Sequence, residues 1–207
     1  MLEQKKRLLL YRLRKEMNGA ALDTMCYFGA DYERNYGVQI YAIRRLAEEI
    51  GTDDELARGF YTQNIREMRL VALWIAEPQN ITPTDLPFWA EGIINSEVAE
   101  QASHALFSRV DCIDTLLEEW CSGGNALCAY CALLAAARNK HCSGKTAVKG
   151  IVEAVTRFED NALIVRGASA LMVGMSGEDV KLTLSKIPDN ATSKSLREEV
   201  AWLLEEN

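Results

Sequence analysis

Apolar helices that open on an asparagine or a serine recur along this chain, and this repetition constrains the fold more than any other feature. Asn64, Asn125 and Asn161 each precede a run rich in small or branched apolar residues. Further starts lie near Ser96 and Ser193. The starts recur at roughly 30–37 residues, which is the period of solenoids built from paired helices. The sequence therefore predicts an all-α protein of about five or six two-helix repeats.

The breaks between apolar runs predict where the individual helices lie. Only four prolines occur and strand-like alternation is scarce, which favours helices throughout. The predicted helices lie near 3–17, 20–28, 39–50, 53–62, 65–77, 84–94, 96–109, 112–121, 125–139, 145–157, 161–174, 178–186 and 194–205. The helix near 65–77 is apolar almost all round, so we expect it to lie between neighbouring helices.

Several helix starts carry a recognisable capping pattern. Thr52 with Glu55 and Ser195 with Glu198 each fit a capping box. The segment 82–85 places a threonine cap, a first-turn proline and an acid in the expected order. These positions are the predicted starts of three helices.

Composition and charge limit the class of protein. The chain has 207 residues, of which 48% are hydrophobic and 26% charged, as in an ordinary globular protein. The longest apolar run, Ala126 to Ala137, is far short of the roughly 20 residues that cross a bilayer. The apolar segment 8–11 is too brief for a signal peptide, so the expected location is cytoplasmic, with the six cysteines reduced. The net charge of −7 disfavours DNA contact over the whole surface but permits a local basic strip.

Specific motifs add a resemblance to a known family. They are Tyr36-Gly37-Val38, Ile43-Arg44-Arg45-Leu46-Ala47, Glu55-Leu56-Ala57, Arg66-Glu67-Met68-Arg69-Leu70, Trp89-Ala90-Glu91 and Asn95-Ser96-Glu97-Val98-Ala99-Glu100-Gln101. Together they resemble the AlkD-like DNA alkylation repair family of HEAT-like repeat proteins. The resemblance implies a right-handed α-solenoid with residues 1–207 as a single domain. It also implies binding of alkylated duplex DNA and hydrolysis of the glycosidic bond of 3-methyladenine or 7-methylguanine.

The resemblance identifies Glu100 and Glu97 as the candidate catalytic residues. The family heptapeptide typically reads Ser-Trp-Asp-x-x-Asp-Gln, and its Trp and second Asp flank the alkylated nucleotide. Ser96 stands here at the tryptophan position, and Glu97 and Glu100 stand at the two aspartates. Serine offers no ring face, and glutamate is one methylene longer than aspartate. A displacement of about 1 Å can reduce a rate on the order of a hundredfold. The ordinary alternative is that both glutamates are solvated first-turn residues.

Two further family groups are also changed. The family's arginine lies in a helix that corresponds to about residues 125–135, and no Arg or Lys occurs between Arg109 and Arg138. The family's second tryptophan follows a Val-Arg-x-Ala opening, which Val165 to Ala168 matches, but Leu171 occupies the tryptophan position. The sequence therefore predicts that base excision is lost or weak.

Basic residues supply the candidate DNA contacts. They are Arg44, Arg45, Arg69, Lys140, Lys145, Lys149 and Arg166. The three N-terminal arginines open helix segments that line the groove or pair with neighbouring glutamates. Cys128 and Cys131 have the spacing of a zinc-ligand pair, but they lie within an Ala/Leu-rich helix and are interpreted as core residues. No metal and no cofactor are expected.

Three functions remain compatible with the sequence. The first is a divergent member of the alkylation repair family that still binds DNA or an unusual DNA structure. The second is an active alkylpurine glycosylase that uses Glu100. The third is a protein-interaction scaffold, since solenoids present extended surfaces to other proteins.

Overall fold

Helices make up the structure of this chain. The computed structural model of the protein describes residues 2–27 and 32–204. Within these ranges the α-helices are α1 Leu2–Lys15, α2 Gly19–Tyr27, α3 Ile40–Ile50, α4 Asp54–Tyr61, α5 Arg66–Ile75, α6 Leu86–Glu91, α7 Ser96–Ala105, α8 Ile113–Ser122, α9 Ala126–Ala136, α10 Gly144–Arg157, α11 Ala162–Met172, α12 Gly177–Lys186 and α13 Ala191–Val200. Every predicted helix is present, and the predicted ends at residues 28 and 205 lie outside the described residues. The all-α prediction is confirmed.

The helix caps correct part of the sequence interpretation. The capping box of Thr82 and Asp85 is present, as predicted. Helix α4, however, is capped by Asp53, whose Oδ1 accepts the N–H of Leu56 at 3.0 Å, so the prediction of Thr52 was wrong. Helix α13 begins four residues earlier than the predicted Ser195 cap, which lies inside the helix. An acid or amide directly before the first turn outcompetes a hydroxyl placed further away.

The helices group into two compact units, Met1–Glu77 and Pro78–Asn207, here called the N-terminal and C-terminal units. A single domain over 1–207 stays a prediction. In the N-terminal unit α4 and α3 each pack against α5, and α1 packs on α4 and α5. The buried side chains of Leu9 and Leu13 anchor α1, while its cations reach outward, for example Lys5 to Asp53 at 2.7 Å.

A buried ion pair fixes the chain segment before α3. Arg66 and Glu67 are fully buried side chains, and Arg66 Nη1 lies 3.1 Å from Glu67 Oε1. The same Oε1 accepts the backbone N–H groups of Tyr36 and Val38 at 3.1 and 3.2 Å, and Arg66 donates to the Val38 carbonyl at 2.9 Å. The two family motifs 36–38 and 66–70 therefore meet in space and hold each other.

Two rows of helices form the C-terminal unit. Helices α7, α9, α11 and α13 pack one against the next and are called the α7 row. Helices α8, α10 and α12 form the second row, the α8 row, which packs on the first through the α8–α9 and α10–α11 contacts. The T-shaped rings of Trp89, Phe107 and Trp120 lie in the core beneath the first repeats. This arrangement is that of two-helix repeats, so the repeat prediction is confirmed.

The α7 row has a regular asparagine register. Its four helices are capped by Asn95, Asn125, Asn161 and Asn190, whose side-chain oxygens accept N–H groups of the first turn. Two of these asparagines, Asn125 and Asn161, were predicted from the sequence as helix starts. In the part of the chain that the structure describes, no helix is long and apolar enough to cross a membrane.

Candidate functional site

The candidate catalytic carboxylate of Glu100 lies in a polar cluster across three helices. Glu100 projects from α7, and its Oε1 accepts a hydrogen bond from the Tyr130 hydroxyl of α9 at 2.9 Å. Arg166 of α11 places Nη1 at 3.2 Å from the same oxygen. The side chain of Glu100 is 37% exposed and that of Arg166 is 64% exposed. This Glu100 cluster, formed by Glu100, Tyr130 and Arg166, thus lies at the surface of the α7 row.

The asparagine register explains why these three side chains meet. Glu100, Tyr130 and Arg166 each lie five residues after the asparagine that caps their helix. Equivalent positions of successive repeats face each other when the helices stack side by side. Gly167 permits the close approach of α11 to α9, because a Cβ there would lie 3.1 Å from the Tyr130 ring and from Leu133.

The Tyr130 hydroxyl is held in its neutral, donating form. Burial and the hydrogen bond to Glu100 together raise the pKa of Tyr130 to about 12, while the charge of Arg166 opposes the shift. A neutral phenol next to a carboxylate is a donor that also supports the negative charge of Glu100. The expected solvated first-turn role therefore does not describe Glu100, because its carboxylate has two partners in neighbouring repeats.

The tryptophans of the C-terminal unit do not belong to the Glu100 cluster. Trp89 is 1% exposed and Trp120 is 6% exposed, and both contact Phe107 in the core. Trp202 follows α13 and is 47% exposed. Glu97, the second catalytic candidate, lies in the first turn of α7 and is partly exposed. The indoles of Trp89, Trp120 and Trp202 are thus core or terminal residues, and Ser96 and Leu171 stand at the two positions where the resemblance expects tryptophans.

Two of the three lysines predicted to contact DNA lie on the α8 row. Lys145 and Lys149 project from α10 into a cleft of about 640 Å³ on the α8 row. Lys149 pairs there with Glu118 at 3.0 Å, and the cleft also holds Glu153 and Asp179. Lys140 is exposed in the segment between α9 and α10. The structure therefore joins Arg166 with Glu100, and groups Lys145 and Lys149 with acids on a separate surface.

The three N-terminal arginines have different surroundings. Arg44 is exposed and its guanidinium lies 4.4 Å from the centre of the Trp74 ring. Arg45 pairs with Glu16 at 2.5 Å, so its partner is not one of the glutamates on its own helix. Arg69 is only 7% exposed, and its guanidinium lies 5.8 Å from the Tyr61 ring centre. We assign Arg69 to the framework, since a buried guanidinium has little surface to offer a phosphate.

The cysteine pair of α9 is part of the core. Cys128 and Cys131 are 4% and 0% exposed. Burial raises the pKa of Cys128 to about 11 and that of Cys131 well above its ordinary value. In the described residues no group of three His, Cys, Asp or Glu side chains is arranged to hold a metal ion.

The two rows of stacked helices and their repeated register define a HEAT-like helical repeat protein. The family model of DNA alkylation repair enzymes matches residues 9–175, which is most of the chain. This chain therefore belongs to the DNA alkylation repair family.

One solved structure shares the fold over nearly the whole length. Its TM-score is 0.69 at 15% sequence identity, and the match covers 95% of this chain and 94% of that chain. That structure represents a new family of proteins related to the HEAT-like repeat DNA glycosylases, with affinity for branched DNA structures. No curated protein matches this sequence.

Proposed function

We propose that this chain binds DNA of branched or otherwise non-linear form and excises alkylated bases weakly or not at all. The observation that carries the proposal is the engagement of the Glu100 carboxylate by Arg166 at 3.2 Å and by Tyr130 at 2.9 Å. Membership of the DNA alkylation repair family supports a nucleic-acid ligand. The branched-DNA affinity ascribed to the structural neighbour supports the choice of DNA form.

The Glu100 cluster is poorly suited to excision chemistry. A carboxylate stabilises a developing positive charge through its own uncompensated negative charge. Here a guanidinium offsets that charge, and it would also repel the cationic base of an alkylated nucleotide. The indoles of Trp89 and Trp120 offer no ring face to such a base, because they are buried in the core.

The same cluster is suited to phosphate binding. An exposed Arg–carboxylate pair is worth about 0–1 kcal/mol, so a DNA phosphate can compete with Glu100 for the guanidinium of Arg166. Arginine binds phosphate through charge-assisted, often paired hydrogen bonds. The side chain of Arg166 is 64% exposed and is therefore accessible to such a ligand.

The test compares a four-way junction, a linear duplex and the same duplex containing 7-methylguanine. Binding is measured at two salt concentrations, and released base is measured by chromatography. We expect salt-dependent preference for the junction and release no greater than in the protein-free control. Arg166→Ala should weaken junction binding and reduce the salt slope by about 1. The matched control is Arg157→Ala, an exposed arginine at the end of α10, which should bind as the unchanged protein does.

Glu100→Gln separates the competing functions. If DNA binding is the role of the α7 row, this variant should bind the junction more tightly, because Arg166 loses its competitor. Base release that disappears in Glu100→Gln would instead establish an active glycosylase and refute the proposal.

A scaffold function is the second candidate, and the mixed-charge cleft of about 640 Å³ on the α8 row favours it. Three lysines and three acids there could pair with a complementary protein segment. Absence of binding to every DNA form would favour this candidate.

A further inference from the structure

A polar hollow in the N-terminal unit lies between the end of α1 and the beginning of α3. Its volume is about 360 Å³, and it is lined in part by Lys15, Met17, Asn18, Gln39 and Tyr41; it is called the Lys15 hollow. This volume is at the small end of the range of about 300–1,000 Å³ typical of ligand pockets. The hollow can hold one small ligand, but a DNA double helix is too large for it.

Two of the side chains that line the Lys15 hollow, Met17 and Tyr41, are large, apolar and exposed. Tyr41 is 70% exposed and Met17 is 55% exposed, although both are large apolar residues. Tyr11, 58% exposed, lies beneath the ammonium of Lys15, whose Nζ is 4.4 Å from its ring centre. The exposed ring of Tyr41 and the ammonium of Lys15 suit a ligand that carries both a ring and a negative charge.

The floor of the hollow is held rigidly. The N–H of Asn18 donates to the Tyr36 carbonyl at 3.1 Å, and the Asn18 carbonyl accepts the N–H of Leu22 at 3.0 Å. Gly37 has φ of +66°, and a Cβ on it would lie 2.2 Å from the Asn18 carbonyl oxygen. The buried ion pair of Glu67 fixes this same segment from the other side. The hollow is therefore formed before any ligand arrives, which lowers the cost of binding.

The charge of this unit opposes a nucleic-acid ligand less than the charge of the C-terminal unit does. Residues 1–77 contain 12 basic and 12 acidic residues, whereas residues 78–207 contain 11 basic and 18 acidic residues. The net charge of −7 thus belongs to the C-terminal unit. Glu16, the acid at the rim of the hollow, is paired with Arg45 at 2.5 Å, so it opposes an incoming phosphate less.

We propose that the Lys15 hollow binds a single unpaired nucleotide of a DNA branch. The base stacks on the exposed ring of Tyr41 next to Met17, and the phosphate lies against the ammonium of Lys15, which Tyr11 positions. This inference rests on the proposed DNA binding and names the structural element of the branch that is recognised. Stacking on an aromatic side chain is tolerant of base identity, so recognition depends on the absence of pairing and not on sequence.

The test uses two forked DNAs of equal length, one with an unpaired arm and one with that arm fully paired. Tyr41→Ala should weaken binding of the open fork about 5- to 150-fold and leave the paired fork nearly unchanged. Tyr41→Trp should retain or strengthen binding, since it keeps a ring face. The matched control is Trp202→Ala, which removes an exposed aromatic residue in the C-terminal unit. Lys15→Ala should reduce the salt slope by about 1.

A fluorescent base analogue reports the contact directly. With 2-aminopurine in the unpaired arm, binding should quench its emission in the unchanged protein and in Tyr41→Trp, and not in Tyr41→Ala. Equal affinity of Tyr41→Ala for both forks, at the level of the unchanged protein, would overturn the inference while DNA binding stands. Failure of the unchanged protein to bind either fork would refute the proposed function itself.

Discussion

Removal of the Glu67 carboxylate should unfold the N-terminal unit more readily than any surface change. Glu67 Oε1 accepts the N–H groups of Tyr36 and Val38 and pairs with Arg66, and the side chains of the ion pair are fully buried. Breaking a buried pair by removing one partner costs about 3–5 kcal/mol, because the other charge stays buried. Each backbone donor left without an acceptor adds about 1–3 kcal/mol if water cannot reach it. We therefore expect Glu67→Ala to lower the free energy of unfolding by at least about 3 kcal/mol.

Urea denaturation followed by circular dichroism measures this loss. With an m-value of about 2 kcal/mol/M, the midpoint should fall by about 1.5–2.5 M. Glu67→Gln keeps one acceptor oxygen without the charge and should lie between Glu67→Ala and the unchanged protein. Glu48→Ala is the control, because Glu48 is exposed on α3 and should change stability by no more than about 0.5 kcal/mol. A Glu67→Ala midpoint equal to that of Glu48→Ala would refute the reasoning.

Three other predictions concern caps, titration and thiols. Asn190→Ala should lower the free energy of unfolding by about 0.5–2 kcal/mol in urea denaturation, and Ser195→Ala should lower it almost not at all. The reverse order would show that Ser195 is the cap, as predicted from the sequence. The pKa of Tyr130 is raised from 10.0 to about 12 in the folded state. The protonated Tyr130 side chain therefore stabilises the fold fully below pH 10, and this stabilisation is lost as the pH rises toward 12. The urea midpoint of Tyr130→Phe should therefore fall less than that of the unchanged protein between pH 9 and 11. Burial raises the pKa of Cys131, so mass spectrometry should find it unmodified by a thiol reagent at pH 8 until urea unfolds the chain; rapid native labelling would contradict its burial.

The fold could be predicted from the sequence because each helix carries its own signals. Apolar residues repeat at helical spacing, and polar caps and glycines separate the runs. The caps of α4 and α13 were predicted wrongly because several polar residues lie close together there, Thr52 and Asp53 in one case and Asn190 and Ser195 in the other. Side-chain distance to the first-turn N–H groups decides between such neighbours, and a sequence does not contain that distance.

The candidate site could be predicted only in part. Family motifs pointed to Glu100 and Arg166, but nothing in the local sequence joined them to each other. Tyr130 was missed because it lies in an apolar helix, where a tyrosine is normally a core residue. Its offset of five residues from Asn125, the same as that of Glu100 from Asn95, was the available signal.

Because this offset is constant, each capping asparagine marks which residue of its helix faces the neighbouring repeat. The markers Asn95, Asn125 and Asn161 are 30 and 36 residues apart, yet the contacting side chains remain aligned. An amino acid inserted in the exposed connection at 159–160 would leave the alignment intact, since Arg166 would still lie five residues after the Asn161 that caps α11. One inserted between Asn161 and Arg166 would swing the guanidinium by about 100° around the helix axis and detach it from Glu100. Length variation in such a chain is thus harmless between repeats and disruptive within the first turns.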